Sequence, residues 1–282
     1  VDSRLKLLQF LDQETVEELK RFMGVLGVQF ELGYELDKVE IVGPEVRMTA
    51  GDYVANCDVF FFAAGRVSVS ERMGIGRMGI PRGERGDIKV NEHFQTLISH
   101  IYAAGDVIGP PALAATSSQQ GRYVACHAFG VSLGAFPKVY PTGVYTIPEL
   151  SMIGRTEEQC KEEGIDYVVG RASYMEVARG YIRGDSHGLL KLIIHRHTHK
   201  ILGIHIVGDD AANLIHIGLD FMMKGGHAQD LVGMIFNYPT LAEGYRIAAF
   251  NGLNKIFPDG VIRPPGSPSP KGKSKKNNSE SK

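Results

Sequence analysis

The sequence predicts an α/β portion followed by a separate α+β domain, and three observations carry that prediction. Strand-like and helix-like segments alternate through residues 1–137, strands and helices fall into separate runs over 138–257, and residues 258–282 lose apolar character. The 282 residues are 43% hydrophobic, enough for two separate cores. Their 31 Lys and Arg nearly balance 32 Asp and Glu, so no field favours nucleic acid. The longest apolar runs fall short of the roughly 18 residues that suggest a membrane span. Cys57, Cys126 and Cys160 stand far apart without a Cys-x-x-Cys, which fits a reducing compartment, with the cytoplasm as the default. The chain opens without Met, without the basic start and apolar core of a signal peptide, and in what reads as mid-domain sequence, so a fragment is expected.

Val1 and Asp2 read as a strand end. Asp12, followed by apolar Val16, Leu19, Met23 and Leu26, gives an N-cap and one helical face that ends near Gly27. A strand resumes at 28–30, short alternating segments follow at 38–42, 46–49 and 53–55, and the apolar run 57–64 fits a strand buried on both faces. Residues 66–87, rich in Gly, Arg and Met without a steady period, read as loop with room for a short helix near Glu71. A second buried strand at 101–104 runs through Gly105-Asp106 and a Gly-Pro-Pro loop into a small-residue helix at 114–129. Past the boundary near 138 come extended stretches at 143–146 and 150–154, a polar helix at 156–163, a hairpin over 189–207, and helices at 210–224 and 240–256. The segment from Pro264 onward, Pro-Pro-Gly-Ser-Pro-Ser-Pro and then Lys and Asn without aromatics, offers too little apolar surface to offset ordering, so a disordered basic tail is expected over 258–282.

Candidate chemistry concentrates at 96–106. Ala104 and Gly105 let a ligand approach the backbone, and ionised Asp106 can accept hydrogen bonds from a sugar-alcohol hydroxyl, although an Asp after a strand also serves as a turn or helix cap. Asp2 and Arg4 could meet a ribose 2′-hydroxyl and a 2′-phosphate, or form a surface ion pair. Thr240 and Glu243 are spaced as a capping box. His195, His197 and His199 alternate as metal ligands could, but 198–200 reads as a hairpin turn, and no metal site is expected. Cys126 and His127, adjacent on a helix, point about 100° apart and read as a packed Cys beside a surface His.

Four segments together resemble the lipoamide dehydrogenase and glutathione reductase family. Thr96 to Asp106 is similar to its second FAD signature, in which the matching Asp binds the ribitol chain. Ala112, Leu113, Ala114 and Ala115 sit where backbone amides meet the flavin and phosphates at a helix N-terminus. Ala63-Ala64-Gly65-Arg66 resembles the element closing the nicotinamide-binding domain, where the Gly lies against the nucleotide. Phe236-Asn237-Tyr238-Pro239-Thr240-Leu241-Ala242-Glu243 resembles the dimerisation-domain signature. Disulfide-reducing members carry an acid–base His before that Pro; here Tyr238, with a reference pKa of about 10, does not support thiol chemistry.

The Asn-Tyr-Pro-Thr motif, with 7–12 and 141–149, is similar to the soluble pyridine nucleotide transhydrogenase branch of that family. The resemblance implies a partial FAD/NAD(P)-binding Rossmann-like portion over 1–137 and a dimerisation domain over 138–257. It implies FAD, NAD and NADP as cofactors, hydride transfer between NADPH and NAD⁺ through FAD, and a homodimer with part of the apolar face of Leu214, Ile217, Phe221, Met222 and Met223 at its interface. It assigns FAD to Gly105, Asp106 and Ala112 to Ala115, and the nicotinamide nucleotide to Gly65 and Arg4, with no side chain as acid or base. A disulfide reductase and a non-catalytic dimerisation fragment are the alternatives.

Overall fold

A computed structural model describes residues 1–185 and 187–264. Most of the expected tail lies outside the described residues. The chain divides into two units, one formed by residues 1–5 and 31–140, the other by 6–30 and 141 onward.

In the first unit, β1 (Lys38–Val42), β2 (Glu45–Ala50) and β3 (Tyr53–Cys57) form an antiparallel meander. A small core of Ile75, Ile80, Ile88 and Ala103 gathers beneath two 3-10 turns, Ser70–Met73 and Ile75–Met78. The only long helix here is α2 (Ala114–Ala128). Three expected strands are not formed. Residues 58–64 are irregular, with Phe61 85% exposed, because no strand among the described residues offers them a ladder of hydrogen bonds. Residues 101–104 contribute a single bridge, Gln95 to Tyr102, and 28–30 contribute none, while Asp2 bridges Leu32. Apolar composition makes a segment want burial; only a neighbouring strand makes it a strand.

The second unit is built on a five-stranded antiparallel sheet of order β4-β5-β8-β7-β6, with β4 (Thr142–Val144), β5 (Leu150–Gly154), β6 (Tyr167–Ser173), β7 (Leu189–His195) and β8 (Ile201–Val207). Side chains alternate across the sheet. Leu190, Leu192 and Ile194 of β7 join Ile204 and Ile206 of β8 in the main core with α5 (Ala211–Met223), α6 (Ala228–Gly233) and α7 (Glu243–Ile256). Leu214, Ile217, Phe221 and Met222 pack on that core, whereas Met223 is exposed. Buried Tyr245 ties α7 to α5, its hydroxyl donating to Leu214 O at 2.8 Å and accepting from Gly218 N at 3.2 Å.

The other face carries α1 (Gln13–Val25), whose Val16 and Leu19 pack with Leu11, Leu150 and Val207. Asp12 occupies the expected N-cap position but its side chain makes no cap bond to α1, and its Oδ2 accepts instead from Glu157 N–H at 3.3 Å. Its Oδ1 accepts from Lys191 Nζ at 2.7 Å, and Lys191 also meets Glu14 at 2.8 Å and Glu157 of α3 (Glu157–Glu162) at 2.5 Å. Thr156 and Gln159 form a reciprocal capping box on α3. The box expected at Thr240 and Glu243 is absent: Ala242 is the N-cap of α7, and Thr240 Oγ1 donates to Asn237 O.

β6 and α7 approach closely at two glycines. A Cβ on Gly170 would collide with the Ala248 carbonyl, and one on Gly252 would stand 3.3 Å from Gly170 Cα. Gly170→Val is expected to destabilise the domain by about 1–3 kcal/mol through overpacking, read as a lowered denaturant midpoint by circular dichroism.

Candidate functional site

Of the expected ligand residues, Gly105, Asp106 and Ala112 to Ala115 lie in the first unit around one irregular turn and the helix that follows it. The backbone is extended at Ala104, turns through a 3-10 segment at Gly105–Ile108, and leaves at Gly109. Gly105 and Gly109 have φ of +82° and +86°, where an L side chain is strained. Gly105 N–H donates to buried Gln120 Oε1 at 2.7 Å, anchoring the turn to α2. Ala112 also has positive φ, +47°, and hands the chain to Leu113, the N-cap of α2.

No side chain caps α2. The first-turn N–H groups of Ala114, Ala115 and Thr116 therefore lack intrahelical partners, and Ala114 and Ala115 are exposed with only methyl groups to obstruct approach. Uncapped N–H groups with the positive end of a helix dipole suit an anion.

Asp106 lies beside the first turn of α2. Its Oδ1 accepts from Ser117 Oγ at 3.4 Å, and its Oδ2 lies 3.2 Å from Arg66 Nη1. Arg66, Ser68, Arg85, Asp106, Gly109 and Ala112 are among the residues lining a cavity of about 530 Å³. The Ser68 hydroxyl is buried without a hydrogen-bond partner among the described residues, a state that protein interiors rarely tolerate and that a ligand atom would relieve. Guanidinium groups and free amides suit phosphates, and a carboxylate suits hydroxyls. The residues present fit a ligand that joins phosphate to a polyol, as FAD does. Ser68 and Arg85 carry no sequence motif, and only folding brings them to this cavity.

Gly65 is exposed at φ +112°, and no atom lies within 4 Å of where its Cβ would stand, so a ligand can approach the backbone there. Arg4 donates through Nε and Nη2 to Asp2 at 2.9 and 2.6 Å, the geometry of the surface-pair reading. The hydrogen bond from Arg4 holds the Asp2 carboxyl down at about 2, despite some opposing desolvation.

In the second unit Tyr238 is 69% exposed, and Glu243 Oε1 accepts from Arg246 at 3.4 Å. A groove of about 480 Å³ passes Arg179 and Arg183 of α4 (Ala178–Arg183), Asn213, Pro239 and Thr240, with Arg183 already paired to Asp210 at 2.7 Å. The alternating histidines are individually engaged. His195 Nδ1 accepts from the N–H groups of His197 and Thr198, His197 lies 3.2 Å from Asp166, and buried His199 pairs with Gln229. His127, beside Cys126, instead shares a 2.9 Å hydrogen bond with Tyr102 and stacks on His93.

Two family models match this chain. Residues 1–121 match the model described as pyridine nucleotide-disulphide oxidoreductase, and 140–249 match the dimerisation domain of the same name. A soluble pyridine nucleotide transhydrogenase of Mycobacterium tuberculosis is 42% identical over 258 residues, which cover 91% of this chain and 55% of the relative. One from Marinobacter nauticus is also 42% identical, covering 89% of this chain and 55% of its own length. The chain spans about half the length of the curated relatives it matches. Among solved structures, the HOCl-induced flavoprotein disulfide reductase RclA of Escherichia coli is similar with a TM-score of 0.81 and 25% identity, over 88% of this chain and 57% of that one.

Proposed function

Because this chain belongs to the pyridine nucleotide-disulphide oxidoreductase family, we propose that it forms part of an FAD-dependent oxidoreductase that moves hydride between NADPH and NAD⁺. The observation that carries the proposal is the cavity lined by Asp106, Gly109 and Ala112, two residues ahead of the uncapped start of α2, in a chain 42% identical to transhydrogenases over 91% of its length. When bound, the flavin accepts and donates the hydride, and the protein supplies binding and orientation.

Each residue then has a bounded role. Asp106 accepts from polyol hydroxyls, exchanging the weak contacts it now makes with Ser117 and Arg66 for ligand ones. The backbone of Ala112, Leu113, Ala114 and Ala115 receives the flavin ring and phosphates, and Gly105 permits close approach. Gly65 lies against the nicotinamide nucleotide, and Arg4 reaches a 2′-phosphate by giving up one arm of its fork on Asp2. No side chain moves a proton. A disulfide reductase would need an acid–base group where Tyr238 stands, which disfavours that alternative.

The protein works as a homodimer through residues 138–257. The match of 140–249 to a dimerisation domain supports this, as do exposed Tyr181, Ile182 and Ile235, the last 97% accessible. Nicotinamide nucleotides are its partners rather than nucleic acid, in keeping with the balanced charge. Among the described residues no helix is long and apolar enough to cross a membrane, and the cytoplasm is the proposed location.

Joined to the N-terminal half of a transhydrogenase relative, the chain is expected to bind FAD, turn yellow and exchange hydride between NADPH and NAD⁺; a joined protein without flavin absorbance overturns the assignment of Asp106. In that joined protein Asp106→Asn weakens flavin binding by about 1.5–3 kcal/mol, roughly ten- to hundredfold, measured by fluorescence titration. Ile235→Asp is expected to convert dimer to monomer, read by sedimentation.

A further inference from the structure

Lys191 is 1% exposed and lies on the sheet face opposite the main core. Three carboxylates from two other elements close on it, Asp12 and Glu14 at the start of α1 and Glu157 of α3. Arg171 of β6, paired with Lys191 across the strands, adds a bidentate bond to Glu14 and a longer contact to Glu157 at 3.8 Å. Tyr167 donates to Glu157 at 2.9 Å. His205 of β8, opposite Lys191 in register, gives Nε2–H to Arg155 O at 2.9 Å and leaves Nδ1 buried without a partner among the described residues. Glu158 and Cys160 of α3 and Lys255 of α7 complete the titratable surroundings.

This cluster joins pieces that the family models assign to different modules. Asp12 and Glu14 belong to the match over 1–121, whereas Glu157, Arg171, Lys191 and His205 belong to the match over 140–249. Beyond the charges, α1 reaches the sheet through a small apolar group of Leu11, Val16, Leu19, Leu150 and Val207, separate from the main core, and an edge contact of Phe22 on His187. Residues 7–13 carry their own bracing, with Gln13 Nε2 donating to Leu11 O at 3.1 Å and more weakly to Leu7 O and Leu8 O. Segment 6–30 is thus internally held and fastened to the sheet by one charged cluster and one small apolar group.

We propose that the Lys191 cluster is an ionic latch that fastens α1, a helix of the nucleotide-binding module, onto the dimerisation sheet, and that α1 undocks as a unit before the main core opens. Buried ions of both signs hold together only as a set. Removing the central cation leaves three carboxylates close together with only Arg171 to offset them, and their repulsion acts directly on the helix at whose start two of them lie. The main core, closed by α7 on the other face, shares none of these groups except Lys255, whose ammonium donates to Val169 O.

The latch has a pH window. Burial works against ionisation of Glu14, but Arg171 and Lys191 overcome it and hold the carboxyl down at about 2. Burial likewise opposes the charge on Asp12, and the nearby positive groups still lower its pKa; burial also opposes the charge on Lys191, and its carboxylates still raise its pKa. His205 is kept neutral by burial. Depressed carboxylates contribute stability above their ordinary range near 4.5, and that contribution disappears as pH falls toward about 2. The raised lysine contributes fully below its ordinary 10.5 and loses its contribution above that.

The test is hydrogen exchange by mass spectrometry on the full chain, comparing peptides from 13–25 with those from 243–256. In Lys191→Met the first set is expected to lose at least tenfold in protection while the second keeps its own. Unchanged protection at 13–25, or equal loss in both sets, overturns the latch. Should that variant fail to fold, the wild-type chain in graded sub-denaturing urea decides: exchange of 13–25 at urea concentrations where 243–256 is still protected supports it, and simultaneous exchange of both overturns it. Neither measurement requires flavin, so the outcome is independent of the proposed activity.

Discussion

A lysine in the middle of a buried strand constrains everything around it. Lys191 interrupts the apolar run Leu-Leu-Lys-Leu-Ile-Ile of β7, and because side chains alternate, its ammonium must lie on the face away from Leu190 and Leu192. A charge there without partners would cost several kcal/mol, so the part of that face around Lys191 must be covered by carboxylates, beside the small apolar group that α1 makes with Leu150 and Val207. Asp12, Glu14 and Glu157 supply them, and in doing so they set where α1 and α3 lie on the sheet. The main core is consequently one-sided, built between the sheet and α5 to α7.

The proposed ligand site in the other unit follows a different logic. Its shape comes from backbone, through left-handed Gly105, Gly109 and Ala112 and the uncapped start of α2. Side chains add charge at the rim, with Arg66 and Arg85 beside Asp106. Such a site orients a cofactor that brings its own reactivity, and it needs no strongly perturbed acid or base. Tyr238 in place of a histidine is consistent with that division of labour.

Legibility in the sequence varied with the range of the interaction. Helices α2, α3, α5 and α7 and the β7–β8 hairpin were readable from periodicity, because their hydrogen bonds close within the segment or across one short turn. Residues 58–64 and 101–104 read as buried strands and are not, since a strand exists only where another strand accepts its backbone. Asp12 and Glu243 read as parts of helix caps. Asp12 stands at the right position but spends its carboxylate on Lys191, and Glu243 is buried one residue inside a helix that Ala242 begins.

What the sequence determined by itself was the two-part organisation, the glycine-rich turn at 105–109 with its acidic residue, and the family motifs, because these are local matters of spacing and allowed backbone conformation. The tertiary structure alone decided that α1 joins the second unit, that Lys191 is buried among three carboxylates, and that Ser68 and Arg85 share a cavity with Asp106. Those outcomes depend on groups far apart in the chain, such as Asp12 and Lys191, and neither residue's own neighbours encode the low-dielectric contact that makes one the partner of the other.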